Sequence, residues 1–339
     1  MKPLDPGLAA EIEALRRGFG EKAIRLQYGE SMLALATEFP DFVVLTADLM
    51  YATGMDRFGA EFPDRLINLG IAEQNMTGVA AGLALSGTLP VVCGYAAFTT
   101  LRAVEQAKVD AAYNEVKVIL TGQSAGLSYG VGGPTHQTFE DVAIMRAIPN
   151  MVVLVPSDAA EVDACLRAAI TWEGRSPIYI RLGRGPEYTH SRAGKAFEIG
   201  KAVRLREGSD VAIIANGAMV AEALMAADAL NRRGIAAGVL NLSTVKPLDT
   251  GAIMAIVKGV SAVVVIEEHS VIGGLGSAVL EALAEVRHAP VRRIGIADWF
   301  PPIGPTRELR KALGLSAEGI VANVLDMLGH AESGRAVAE

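Results

Sequence analysis

Leu66-Ile67-Asn68-Leu69-Gly70-Ile71-Ala72-Glu73-Gln74-Asn75-Met76 is the stretch on which the reading of the chain turns. An apolar run of strand character ends at Gly70, and Glu73 then opens a helix of small and apolar residues, Thr77 to Ala84. The positive end of the helix dipole favours a carboxylate at Glu73, while apolar neighbours disfavour its charge. A carboxyl held near neutral can share a proton with a ring nitrogen. The plainer reading is a first-turn glutamate that complements the dipole.

On either side of this unit, strands and helices alternate. Leu8 to Pro40 reads as helix, Phe42 to Thr46 as a buried strand, Leu89 to Gly94 as strand, Tyr95 to Asn114 as amphipathic helix and Val116 to Thr121 as strand. A glycine-rich loop, Gly122 to Gln137, precedes strand Met151 to Pro156, helix Asp158 to Trp172 and strand Pro177 to Arg181. The polar segment Arg184 to Gly200, broken by glycine and proline, reads as a linker. A second alternation then predicts strands at Val211 to Ala215, Ala237 to Leu242, Ala262 to Glu267 and Val291 to Ile296, with helices between and after them. Glu332 to Glu339 reads as a frayed tail. The expected fold is α/β: two doubly wound, mostly parallel-sheet domains at residues 20–190 and 200–330.

Composition narrows the class without naming a reaction. The chain has 339 residues, enough for two cores, with 51% hydrophobic residues and 36 glycines. A net charge of −7 argues against nucleic acid as a partner. No apolar run has the length of a membrane span, and Met1 to Gly20 lacks a signal core, so a cytoplasmic protein is expected. Cys93 and Cys165 lie in apolar surroundings and read as buried free thiols.

Several stretches have the composition of a site. Tyr95 and Phe98 stand one helical turn apart where strand gives way to helix, as core packing or as a ring-binding pair. The loop from Gly122 is dense enough in glycine to cradle phosphate, but it lacks the Gly-Lys-Ser/Thr ending of a P-loop and closes on Gly133-Pro134-Thr135-His136-Gln137. Asp48 ends a strand, suited to a ligand or to a helix cap. Arg184 is either an exposed linker cation or an anion binder. Glu267-Glu268-His269 invites a metal reading, yet neighbours on a strand point to opposite faces.

The motif Gly70-Ile71-Ala72-Glu73-Gln74-Asn75-Met76, together with Gly-Pro-Thr-His-Gln, resembles the transketolase family of thiamine-diphosphate enzymes, from about Gly20 to Leu328. In that family the motif glutamate hydrogen-bonds N1′ of the aminopyrimidine. The bond favours the tautomer whose 4′-nitrogen deprotonates thiazolium C2, so the cofactor carries the carbanion chemistry and the protein tunes it. The resemblance implies that Glu73 is catalytic and that Tyr95 and Phe98 flank the aminopyrimidine, with Leu101 in place of a third aromatic. It implies that His136 is both catalytic and substrate-binding, facing the donor ketose, that Asp48 lies near the thiazolium and that Arg184 binds sugar phosphate. Ile71, inside the glutamate motif, joins the cofactor-binding set. Glu267 to Gly276 matches a family run that turns strand into helix and packs at subunit contacts.

Departures from the family are equally informative. Gly132 stands where an aspartate reads the donor's C2 hydroxyl, and Gly122 where a histidine meets substrate phosphate, which implies a different or relaxed substrate. The Gly-Asp-Gly that holds the diphosphate through a divalent metal has no counterpart beyond the near miss Gly208-Ser209-Asp210. The resemblance therefore covers the second half of a transketolase. It implies the C-terminal subunit of a split enzyme acting on small sugars or sugar phosphates. An N-terminal, diphosphate-binding partner would hold Mg2+ and the cofactor's tail, in a two-plus-two heterotetramer that self-associates through the pyrimidine domain. The alternatives are a beta subunit of a 2-oxo acid dehydrogenase, a carboligase like 1-deoxyxylulose-5-phosphate synthase, or a non-catalytic relic.

Overall fold

Parallel register joins Val44 to Leu66 on one side and to Val91 on the other, so Phe42–Thr46 lies inside a sheet. That sheet has seven strands in the order Thr244–Lys246, Val152–Leu154, Ile178–Arg181, Ile119–Gln123, Leu89–Tyr95, Phe42–Thr46, Leu66–Asn68. Its pairings are parallel except the one at Thr244–Lys246. A parallel sheet is covered on both faces, and Val91, Val92, Cys93, Ile119 and Leu120 are accordingly all buried. A second sheet runs Val291–Ile296, Ala262–Ser270, Val211–Ala215, Ala237–Asn241, Val203–Arg206, with only the last antiparallel. The computed structural model describes residues 6–191 and 193–329, so the proposed tail at Glu332 to Glu339 lies outside the described residues.

The two α/β units are not independent. Thr244–Lys246 comes from the second half of the chain but pairs with Val152–Leu154 of the first sheet. Met145, Val153 and Val155 share one buried cluster with Leu240, Leu242, Val245 and Ile253. Side-chain caps start helices Ala159–Thr171 and Thr250–Val257: Asp158 accepts from the Glu161 amide at 2.9 Å and Asp249 from the Ala252 amide at 3.0 Å. Both cysteines are free and buried, and burial pushes their thiols up. No helix among the described residues is long and apolar enough to cross a membrane.

Four expectations need correction. The helix read over Leu8 to Pro40 is broken: Pro6–Arg16 and Ile24–Glu38 flank a strand, Gly20–Ala23. Its antiparallel partner is Pro186–Thr189, inside the segment read as a linker. A two-stranded ribbon needs no long apolar run, so periodicity misses both strands. The helix read over Tyr95 to Asn114 is instead a series of wide, π-type turns at Ala97–Arg102 and Ala107–Tyr113, joined by Val104–Gln106. Strand Ala262–Ser270 continues through Glu267, Glu268 and His269, beyond the predicted end at Glu267.

Candidate active site

The first sheet ends in a row of candidate residues at the carboxyl ends of its strands, where ligands of open α/β sheets sit. Leu66–Asn68 leads through Gly70, at φ +71°, into helix Glu73–Leu85. The turn needs a left-handed residue there, which glycine supplies without strain. It buries Glu73 at 2% exposure in the first helical turn. The sequence sets the helix dipole, which favours the carboxylate, against apolar neighbours, which disfavour its charge. The structure adds a cation: Arg102 Nη1 donates to Glu73 Oε2 at 2.9 Å. Among the described residues Oε1 has no hydrogen-bond partner.

Arg102 also lies over the Phe98 ring, 4.4 Å from its centroid, a cation–π contact. Phe98 in turn is 6.0 Å from the Tyr95 ring and 5.5 Å from the His136 ring. Tyr95 is buried, and its hydroxyl accepts from Arg184 Nη1 at 2.6 Å. Glu73, Arg102, Phe98, Tyr95, His136 and Arg184 thus form one unbroken run of contacts. His136 is half-buried, with Nδ1 sharing a 2.8 Å hydrogen bond with Thr135 Oγ1. Its Nε2 is the nitrogen left for a ligand. Arg184 is tethered rather than loose, with Ala52 O and Ser124 Oγ each at 3.4 Å besides Tyr95.

Asp48 and Ile71 stand apart from that run. Asp48 is exposed, at φ +61°, and exchanges hydrogen bonds with Asn68 across neighbouring strand ends. Ile71 is 76% exposed. Among the described residues, neither makes a hydrogen bond or ion pair with the other candidates.

Three side chains near the site escape the sequence reading. Arg102 follows Phe98 by four residues, and that helical spacing was the available signal. Tyr129, in the glycine-rich loop, stands 5.4 Å from His136, nearly perpendicular at 88°, with the Arg184 guanidinium 4.6 Å over its ring. Arg25 lies beside Arg184 through backbone pairing at 3.1 Å. The two arginines, Ser128, Tyr129 and Thr306 line an open cavity of about 420 Å³. Nothing local in the sequence joins Arg25 to Arg184.

The two glycine departures have a steric cause. A Cβ on Gly132 would lie 2.9 Å from His136 Cβ and 3.1 Å from Tyr129 Cδ1. A Cβ on Gly122 would lie 2.4 Å from the hydroxyl of buried Tyr179, which donates to Asp141 at 2.7 Å. Other side chains already fill both places. Gly122→Ala is therefore expected to cost about 1–3 kcal/mol of stability by overpacking. Denaturant unfolding checks this, and an unchanged midpoint would contradict the packing argument.

The second-domain motif separates by face as strand geometry requires. Glu267 accepts from the Leu275 amide at 2.6 Å and the Gly276 amide at 2.8 Å, capping helix Leu275–Leu283. Glu268 points the other way and accepts from the Leu127 amide at 2.6 Å. The Gly-Asp-Gly near miss is a tight turn: a Cβ on Gly208 would meet the Gly238 nitrogen at 2.1 Å, and Asp210 accepts from the Ala236 amide at 2.7 Å. Among the described residues no three His, Cys, Asp or Glu side chains cluster as a metal site.

Two family models match the chain: the transketolase pyrimidine binding domain over residues 21–186 and the transketolase C-terminal domain over residues 200–320. The chain is 43% identical to the 6-deoxy-6-sulfo-D-fructose transketolase subunit SqwH of Clostridium sp. (strain MSTE9), over 89% of this chain and 93% of that one. It is 40% identical to 1-deoxy-D-xylulose-5-phosphate synthase of Thermomicrobium roseum, over 91% of this chain but 49% of that protein. Among solved structures it matches a split gene transketolase, described as an inactive beta4 tetramer, at TM-score 0.82 and 41% identity, covering 91% of this chain and 99% of that one. The chain belongs to the transketolase family. Its domains are those of thiamine-diphosphate-dependent, transketolase-type transferases.

Proposed function

We propose that this chain is the C-terminal subunit of a split transketolase, moving a two-carbon ketol unit from a ketose to an aldose-type acceptor. What carries the reading is the unbroken run of contacts from Glu73 through Arg102, Phe98, Tyr95 and His136 to Arg184. The residues suit the pyrimidine half of thiamine diphosphate: a buried carboxylate with one oxygen unpartnered, and an aromatic face beside it. Bound, that cofactor supplies the nucleophile and electron sink. Its diphosphate and Mg2+ fall to the partner subunit in this reading.

The chain's own residues divide the remaining work. Arg102 holds Glu73 Oε2, so Oε1 is the atom that exchanges a proton with a ring nitrogen. Phe98 and Tyr95 fix the ring plane. His136 Nε2 moves protons at the sugar's oxygens, and its ring is held by Tyr129 and Thr135. Arg25 and Arg184, on the wall of the 420 Å³ cavity, take the substrate's terminal anion. Guanidinium groups suit this role because their fork matches the oxygens of phosphate or sulfonate.

Association is supported by apolar side chains left open on the first α/β unit: Ile71 and Tyr113 are 76% and 82% exposed, and Leu101 and Val109 are exposed as well. Exposed apolar side chains suit a surface that another chain covers.

The test of the substrate assignment is Arg184→Met in the reconstituted enzyme. Loss of one charge-assisted contact, about 1.5–3 kcal/mol, raises KM for a ketose phosphate roughly 10- to 150-fold. KM for the unphosphorylated ketose should stay within about twofold. An equal rise for both sugars would sink the anion-binding role. The resemblance to 1-deoxy-D-xylulose-5-phosphate synthase supports a second reading, a carboligase of that kind. Formation of 1-deoxy-D-xylulose 5-phosphate, without turnover of any ketose donor, would favour it.

A further inference from the structure

The geometry points to Arg310 as a positioning residue: from the second domain it fastens both walls of the substrate cavity and so sets the place of His136 and Arg184. Arg310 lies in helix Thr306–Ala312 and reaches no candidate site residue itself. Its Nη1 and Nη2 each donate to Glu187 at 2.8 Å, a bidentate pair. Its Nε donates to Glu268. Both carboxylates and the guanidinium are nearly buried, with side-chain exposures of 8%, 6% and 11%. Burial works against the guanidinium's charge, and the two carboxylates more than offset it, raising its pKa.

Each carboxylate is tied to one wall. Glu268 Oε1 accepts from the Leu127 amide at 2.6 Å, at the base of the loop that carries Tyr129 and His136. The fit is close: a Cβ on Gly126, at φ +62°, would lie 2.3 Å from that oxygen. Thr306 Oγ1 donates to the Leu127 carbonyl at 2.9 Å, and the Gly304 amide to the Gly130 carbonyl at 3.4 Å. Glu187 belongs to strand Pro186–Thr189, which begins two residues after Arg184. That strand has a single partner, Gly20–Ala23, the element that leads into Arg25. One guanidinium thus couples the histidine loop to the arginine wall. A buried charged cluster of this kind breaks as a unit when one member is removed.

The test uses hydrogen exchange and kinetics on the same variants, with Ile256→Ala as control. Ile256 is a buried residue of helix Thr250–Val257, in a buried cluster that includes no residue of either wall. Arg310→Met is expected to speed amide exchange in residues 126–137 and 182–190 together. Glu268→Gln, the milder change, should speed it in 126–137 alone. In the complex with the partner subunit, Arg310→Met should lower kcat/KM for the ketose donor about 10- to 100-fold, because small displacements of positioned groups are costly. Ile256→Ala should change it less than about threefold, since distant sites act independently. Unchanged exchange in either segment of Arg310→Met, or raised exchange with kcat/KM within about threefold of wild type, would overturn the proposal. The kinetic arm rests on the split-transketolase reading. If the wild-type complex transfers no ketol unit, that reading fails, and exchange alone decides whether Arg310 fastens the walls. If Arg310→Met does not fold, Glu268→Gln decides for residues 126–137 and Glu187→Gln for residues 182–190, by the same measurements.

Discussion

Glu73→Gln should lower ketol transfer by the reconstituted enzyme about 10²- to 10⁴-fold, the usual range for loss of a general acid–base group. A neutral amide still reaches a ring nitrogen but cannot carry its proton. The fold should survive. Glu73 is buried at a helix start, yet its partner Arg102 is 48% exposed, so the ion pair itself contributes at most about 1 kcal/mol after solvent screening. The amide oxygen can still accept from Arg102. Circular dichroism and melting temperature separate a folded, slow variant from an unfolded one. Exchange of the cofactor's C2 proton for deuterium in the loaded complex reads the step directly. Exchange at the wild-type rate would show that Glu73 is not the activator, whatever the turnover number.

That Glu73 opens a helix was legible because its cause is local. A strand ending at a glycine must turn, and the residue that opens the next helix is set by the motif itself. The alternation of buried runs was legible for the same reason, since parallel strands covered on both faces read as continuous apolar stretches. What remained hidden was nonlocal. Gly122 reads as a lost contact until Tyr179, from a neighbouring strand, is seen filling its space, and Gly132 until Tyr129 is seen against His136. Glu268 reads as part of a strand-to-helix turn, yet its carboxylate holds a loop of the other α/β unit. Arg102 did carry a local signal, its four-residue spacing from Phe98, but it stands in wide π-type turns rather than the regular helix read there, and such turns recur at functional sites. Strands Pro186–Thr189 and Thr244–Lys246 are short and pair along one edge each, so little of their composition marks them.

Activity should depend on a second polypeptide, with this chain alone inactive and a poor binder of thiamine diphosphate. The site offers a carboxylate and an aromatic face to a pyrimidine, whereas the diphosphate needs charge-assisted contacts that the proposed partner supplies. Two such contacts, at about 1.5 kcal/mol or more each, already separate the affinities of the isolated chain and the complex by at least ~100-fold. Calorimetric titration with cofactor and magnesium measures that ratio. Submicromolar binding by the isolated chain would sink the split-enzyme reading. Because the cofactor would bridge two chains, its binding should also stabilise their association by mass action. Exposed Ile71, Leu101, Val109 and Tyr113 leave this chain apolar surface for another chain to cover. Closed two-fold contact between copies is the commonest way to cover such a surface. The expected assembly therefore holds two copies of this chain and two of the partner, with each cofactor at a seam. Light scattering on the mixed chains gives the mass. An active complex with one copy of each chain, or full activity from this chain by itself, would rule the arrangement out.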